Sequence, residues 1–215
     1  IDFSKMTCSL VAVTTDVIRD GKPVTGFGFS SNGRYAAGAI MRDRMIPRLL
    51  EAEADTLLDP ESGLIDPFRC WERMMVNEKP GGHGERSVAV GTLDMAIWDA
   101  LAKIEGVPLW RLLADRYKGG EADDSVWVYA AGGYYHPGKG IDGLVDEVKS
   151  YRDMGYVDFK LKIGGAPLAE DIKRIEAVIG VAGSGNHVAV DANGRFDRDT
   201  AIAYARALEP LDLLW

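Results

Sequence analysis

From about Gly119 onward, segments of strand length alternate with stripes of helical period across short connections. That alternation restricts the second half of the chain to a parallel sheet with covering helices. Residues 126–131 read as a strand, after which Ile141, Leu144, Val145, Val148 and Tyr151 fall on one helical face. Residues 158–163 form the next strand. Leu168, Ile172, Ile175 and Ile179 make the next helical stripe, with Pro167 suited to a first turn. Residues 187–192 follow as a third strand, 198–208 as a helix, and 211–215 as the beginning of a fourth strand. A sheet of this kind is either open or closed into a (β/α)₈ barrel. Three strands and part of a fourth cannot close one, so the chain reads as truncated.

The first half follows a different pattern. Residues 7–19 are rich in Val, Ile and Thr, Gly21-Lys22-Pro23 turns the chain, and residues 24–29 return it as a second strand. Helices are expected at about 37–54, 67–77 and 86–104, with a short one after Pro108. The 86–104 helix is apolar nearly all round and should be buried. Trp71, Trp98 and Trp110 lie on helical faces and read most simply as core. A hairpin followed by helices is the order of an α+β domain. The expected organisation is therefore an α+β domain over residues 1–118 and the start of a barrel over residues 119–215.

Bulk composition narrows the function classes. Asp and Glu number 33 against 25 Lys and Arg, a formal charge of −8, and no basic run offers a nucleic-acid footprint. No stretch is long and apolar enough to suggest a membrane span. Cys8 and Cys70 are too few for a disulfide scaffold. They fit a reducing cytoplasm and, sitting among apolar residues, read as buried and inert. No signal peptide is visible, but the chain opens on Ile1, so its natural N-terminus is expected upstream.

The strongest chemical signal is Asp158-Phe159-Lys160-Leu161-Lys162-Ile163-Gly164-Gly165. On a strand, Phe159, Leu161 and Ile163 face one way, and Lys160 and Lys162 face the other, with Cα atoms about 6.5–7 Å apart. Buried parallel strands are normally continuous apolar runs, so two lysines on one face at the strand's C-terminal end depart from that pattern. Like charge and partial desolvation both lower a lysine's pKa, which would make a usable base. The competing assignment is an edge strand with two solvated lysines. On the following strand, Asp191 and Asn193 share a face with Ala189, and a strand-end carboxylate there suits a hard cation such as Mg²⁺. A strand-end Asp opening a turn is the plainer alternative for Asp191 alone. Asn32 and Lys79 sit in loops of the first half. The loop from Asn77 to Arg86 could hold a carboxylate at a helix N-terminus, although by itself it reads as solvated, with His83 a surface residue. Tyr129 through Tyr135, at the end of the first parallel strand, reads by itself as structural. No Cys/His set has zinc spacing, no Gly-x-Ser-x-Gly elbow is present, and Gly132-Gly133 does not supply a dinucleotide fingerprint.

Together these residues resemble the enolase superfamily in its mandelate racemase-like branch. The resemblance implies a capping domain joined to a modified barrel, a Lys-x-Lys motif at Lys160 and Lys162, and a Mg²⁺-ligating Asp191, with Asn193 as a secondary candidate. A finer similarity, to the D-tartrate dehydratase family, rests on Ser31-Asn32-Gly33-Arg34-Tyr35, on residues 77–90, on residues 129–135 with Pro137-Gly138-Lys139-Gly140, and on residues 160–167. It implies Lys162 as general base, with Asn32, Lys79 and Lys160 facing a small carboxylate substrate. The implied reaction is Mg²⁺-dependent dehydration of a hydroxy-diacid, D-tartrate to oxaloacetate, by a lyase that is homo-oligomeric when intact. Two more acidic metal ligands and a catalytic His are then expected beyond residue 215, and a capping-domain strand before Ile1. The piece alone would be inactive. The alternatives are another acid-sugar dehydratase or racemase on this scaffold, and a non-catalytic fragment that binds a small anion.

Overall fold

The computed structural model describes residues 3–81 and 84–215, so His83 lies outside the described residues. The chain divides into two compact units, Ile1–Asp123 and Asp124–Trp215. Among the described residues no helix is long and apolar enough to cross a membrane.

In the first unit, β1 (Leu10–Arg19) and β2 (Lys22–Phe29) pair antiparallel about a turn at Asp20-Gly21. The helix expected over 37–54 is shorter and interrupted. It comprises α1 (Ala37–Ile40), a π turn (Met41–Met45) and α2 (Ile46–Leu50). Pro47 explains the break, because it has no N–H to return to the preceding turn and its ring crowds that turn's carbonyl. Next, α3 (Pro67–Met74) is capped by Asp66, whose carboxylate accepts from the amides of Phe68 and Arg69. The long α4 (Glu85–Glu105) ends on left-handed Gly106 and is followed by α5 (Leu109–Tyr117).

Strand β2 lies directly on α4. A Cβ on Gly26 would fall 2.1 Å from the Ala96 carbonyl oxygen, and one on Gly28 would fall 2.2 Å from that of Thr92, so only glycine permits this approach. Met41, Met45, Cys70, Met74, Leu93 and Ile97 fill the core beside it. Two expectations fail here. Trp71 and Trp110 are 45% and 54% exposed, because their helices bury other faces, and only Trp98 packs inward, edge-on to Phe68. Cys70 is buried, but Cys8 is exposed at the approach to β1, its thiol donating to the Ser30 carbonyl.

The second unit is built on a three-stranded parallel sheet in the order β3 (Ala130–Gly132), β4 (Phe159–Lys162), β5 (Val188–Asp191). Helices α6 (Gly140–Asp153) and α7 (Leu168–Ala182) form the crossovers, and α8 (Arg198–Leu208) follows β5. The first parallel strand is shorter than the pattern over 126–131 suggests. Val126, Trp127 and Val128 are exposed and only Ala130 onward is paired. Residues 213–215 run along the free edge of β5, with the Leu214 amide donating to Val188 and the Val190 amide to Trp215. A regular parallel ladder would use the Leu214 carbonyl for that second bond, so the segment sits beside the sheet without becoming a strand. Phe159, Leu161 and Ile163 pack with Leu144, Val148 and Ile175 under the helices.

Candidate active site

Parallel pairing sets Lys162 directly beside Asp191 and Lys160 beside Ala189. All four share one face, and the small Ala189 leaves Lys160 space to extend toward the C-terminal end of the sheet. Both ammonium groups reach one atom: Lys160 Nζ is 3.0 Å and Lys162 Nζ 2.8 Å from Oδ2 of Asp191. The other oxygen, Oδ1, accepts from the Asn193 amide at 2.8 Å. Asn193 takes a left-handed backbone, which Asn tolerates, and its side-chain oxygen accepts a second hydrogen bond from Lys162. The lysine and aspartate side chains keep only 12–23% of their surface exposed. This is not an edge strand with solvated lysines.

Aromatic rings line the cluster. Lys160 lies 5.6 Å from the ring centres of Tyr129 and Trp215, and Lys162 lies 5.6 Å from that of Tyr134. Tyr129, immediately before β3, and Tyr134, just after it, which read as structural in the sequence, therefore form walls of the charged site.

The electrostatics depart from the simple like-charge expectation. The hydrogen bond to Asp191 raises the Lys160 pKa, against a smaller opposing effect of burial. Asp191 is in turn held far below the usual carboxylate range by hydrogen bonds from Lys162, from the Asn193 amide and from Lys160. One anion between two cations outweighs the repulsion that two lysines alone would feel.

Asp191 offers hard oxygen donors. Mg²⁺ commonly takes one or two carboxylates and completes its shell with water or substrate oxygens. Asp191 fits that role as a single ligand. Among the described residues no group of three or more His, Cys, Asp or Glu side chains gathers as a metal site.

A second polar network, which the sequence reading did not single out, ties together the loops that follow β3 and β4. Asp171, in the first turn of α7, is fully buried. It accepts from Tyr135 Oη at 2.5 Å, the Gly164 amide at 2.7 Å and Tyr204 Oη at 3.1 Å, and pairs with Arg174 at 3.4 Å. Arg174 donates to the Gly133 carbonyl at 2.6 Å and stacks 3.8 Å from the Tyr135 ring centre. Burial, followed by the bond to Asp171, pushes both tyrosine hydroxyls up to about 12, so both remain donors. The available signal was an Asp-x-x-Arg pair beside an apolar helical stripe, six residues after a glycine pair.

Asn32 and Lys79 belong to loops of the first unit, and both are exposed. The Lys79 carbonyl accepts from Arg86 at 2.8 Å. Its neighbour Glu78 is gripped by Arg48 at 2.9 Å and Arg86 at 3.0 Å, and by Arg44 at 3.4 Å. Burial opposes its ionisation, but these guanidinium groups hold Glu78 below the usual carboxylate range. The structure thus gathers Lys160, Lys162, Asp191 and Asn193, with Asn32 and Lys79 on separate loops.

Comparison with known proteins locates this geometry. Residues 143–215 match the family described as enolase C-terminal domain-like. The chain is 32% identical over 206 residues to the L-talarate/galactarate dehydratase of Salmonella typhimurium, spanning 95% of this chain and 48% of that protein. It is 33% identical over 158 residues to the arabinonate dehydratase of Saccharolobus solfataricus, spanning 73% and 40%. Among solved structures, the L-talarate dehydratase from Polaromonas sp. JS666, complexed with Mg and L-glucarate, superposes with a TM-score of 0.67. That match is at 31% identity, over 90% of this chain and 50% of that one. The chain thus spans half or less of the length of these relatives.

Proposed function

We propose, from the premise that residues 143–215 belong to the enolase superfamily as its C-terminal domain, that the protein is a Mg²⁺-dependent dehydratase of acid sugars. The observation that carries this reading is the convergence of Lys160 and Lys162 on one oxygen of Asp191 at the ends of adjacent parallel strands. In barrels, that end of the strands is where active sites form. The relatives named above are dehydratases of talarate or galactarate and of arabinonate, which supports the reaction class.

Asp191 would hold the metal, with Asn193 beside it as a secondary polar group. Bound there, Mg²⁺ would supply Lewis-acid stabilisation of the charge that develops on the substrate carboxylate. Lys162, as the neutral amine, takes the proton from the carbon α to that carboxylate. The C–H electron pair moves into the carboxylate and then returns to expel the β-hydroxyl, which leaves as water on receiving a proton from the catalytic His expected beyond residue 215. The resulting enol tautomerises to an α-keto acid. Lys160, kept protonated by its carboxylate neighbour, faces the negative charge as it forms. The Tyr129 and Tyr134 rings face the two ammonium groups. Asn32 and Lys79 would orient the distal hydroxyl and carboxylate.

The substrate we assign is the four-carbon diacid D-tartrate, giving oxaloacetate. The support is the resemblance, read in the sequence, of residues 31–35, 77–90, 129–135 with 137–140, and 160–167 to that dehydratase family. A second reading, a longer acid sugar, is favoured by the names of the relatives. Incubating the full-length protein with Mg²⁺ and a panel of tartrate stereoisomers, galactarate, talarate and arabinonate, with detection of α-keto acid, decides between them. Oxaloacetate from D-tartrate supports the first reading and turnover of a longer acid the second. Silence across the panel removes both.

A further inference from the structure

Lys162 and Tyr134 face each other from the ends of different strands, and the residues that follow or flank them are tied to one buried carboxylate. Gly164 stands two residues after Lys162, and its amide donates to Asp171. Gly133 and Tyr135 flank Tyr134; the first is held through Arg174 and the second bonds Asp171 directly. Tyr204 adds a tie from α8.

The surrounding glycines let this clamp close. A Cβ on Gly133 would fall 2.0 Å from Leu161 Cδ1. One on Gly164 would fall 2.6 Å from the Phe196 ring, and one on Gly165 2.5 Å from the Tyr135 ring. Gly133 and Gly164 also have positive φ, which an L side chain resists. The two loops therefore pack without slack around Asp171.

We propose that Asp171 is a positioning residue for the proton-transfer site, setting the Lys162 ammonium against the Tyr134 ring by fixing both strand ends. The proposal rests on the reading of Lys162 as the base, although the clamp can be measured without any turnover. Asp171 touches no reacting group. The backbone amide that Asp171 holds belongs to the turn in which β4, the strand carrying Lys162, ends. The physical reason for such a device is that proton transfer needs a near-attack geometry, and a displacement of about 1 Å can reduce the rate about 10²-fold.

The test compares the full-length protein with Asp171→Asn and with Tyr135→Phe, which keeps the ring on Arg174 and removes only the hydroxyl. Deuterium exchange is followed by mass spectrometry for residues 130–137 and 162–167, with 140–153 as the internal control. Both segments should exchange faster together in Asp171→Asn, and in the same sense but less in Tyr135→Phe, while 140–153 stays unchanged. Turnover per folded molecule should fall about 10²-fold in Asp171→Asn with KM little changed. A role in stability alone would speed exchange in all three segments and leave turnover per folded molecule intact. Either that pattern, or unchanged exchange in both loops, overturns the proposal. If Asp171→Asn does not fold, the Tyr135→Phe exchange pattern decides. If the wild type turns over no acid sugar, the dehydratase reading fails and the exchange data still decide the clamp.

Discussion

Lys162 Nζ stands 2.8 Å from Oδ2 of Asp191, its direct partner in the parallel register between β4 and β5. The contact joins the group assigned as base to the group assigned as metal ligand. The same oxygen also receives Lys160 at 3.0 Å, so removal of Asp191 leaves two cations facing each other, whereas removal of either lysine leaves a one-to-one ion pair.

Replacing Lys162 by Ala in the full-length enzyme should lower kcat by about 10²–10⁴-fold, the usual contribution of a positioned base. Chelation of divalent metal should abolish turnover, and added Mg²⁺ should restore it. Steady-state kinetics with a metal-depleted and reloaded enzyme checks both. Wild-type turnover in Lys162→Ala would remove the base assignment.

Asp158 should make the second unit sensitive to acid. It is buried, and its pKa is lowered by hydrogen bonds from His187 at 2.7 Å and Trp127 at 2.6 Å, against the opposing effect of burial. A lowered folded pKa contributes stability that is present above the unfolded value of about 4 and is lost as pH falls through the folded value. Asp158→Asn should therefore melt below wild type at pH 7, and the gap should close toward pH 3. A gap independent of pH would contradict this account.

Gly26→Ala should destabilise the first unit by about 1–3 kcal/mol, because the added methyl meets α4 backbone rather than a yielding side chain. A urea titration followed by circular dichroism measures the loss. Gly63→Ala is an instructive contrast. Its added Cβ meets nothing within 4 Å, so any cost there comes from its positive φ alone.

The two cysteines should separate in a thiol titration at pH 8. Cys8 is exposed, whereas burial, reinforced by Asp66 and Asp94, pushes the Cys70 thiol up to about 12. One thiol per native chain should react with Ellman's reagent, and two after denaturation in guanidinium.

The periodicity of the sequence was sufficient for the parallel sheet and its covering helices, because strand and helix periods leave different apolar patterns. Lys160, Lys162 and Asp191 were visible for the same reason, as charges standing where a buried parallel strand should be apolar. Patterns that depend on an element's neighbours were less legible. The tryptophans of α3 and α5 have helical spacing whether or not a partner covers them, and Val126 and Val128 read as strand although no neighbour pairs with them. Cys8 looks buried only until the path of the chain before β1 is known.

Tertiary structure alone decided how the charges of the site are paired. Sequence spacing places two like charges side by side and suggests mutual repulsion; the register between β4 and β5 sets an anion between them and raises the Lys160 pKa instead. It alone also brought Tyr135, Gly164, Arg174 and Tyr204, spread over 70 residues of sequence, onto the Asp171 carboxylate. A residue's period along its own strand or helix follows from local geometry, and the sequence carries it. Which groups meet across elements depends on register and crossover packing, which the folded chain sets.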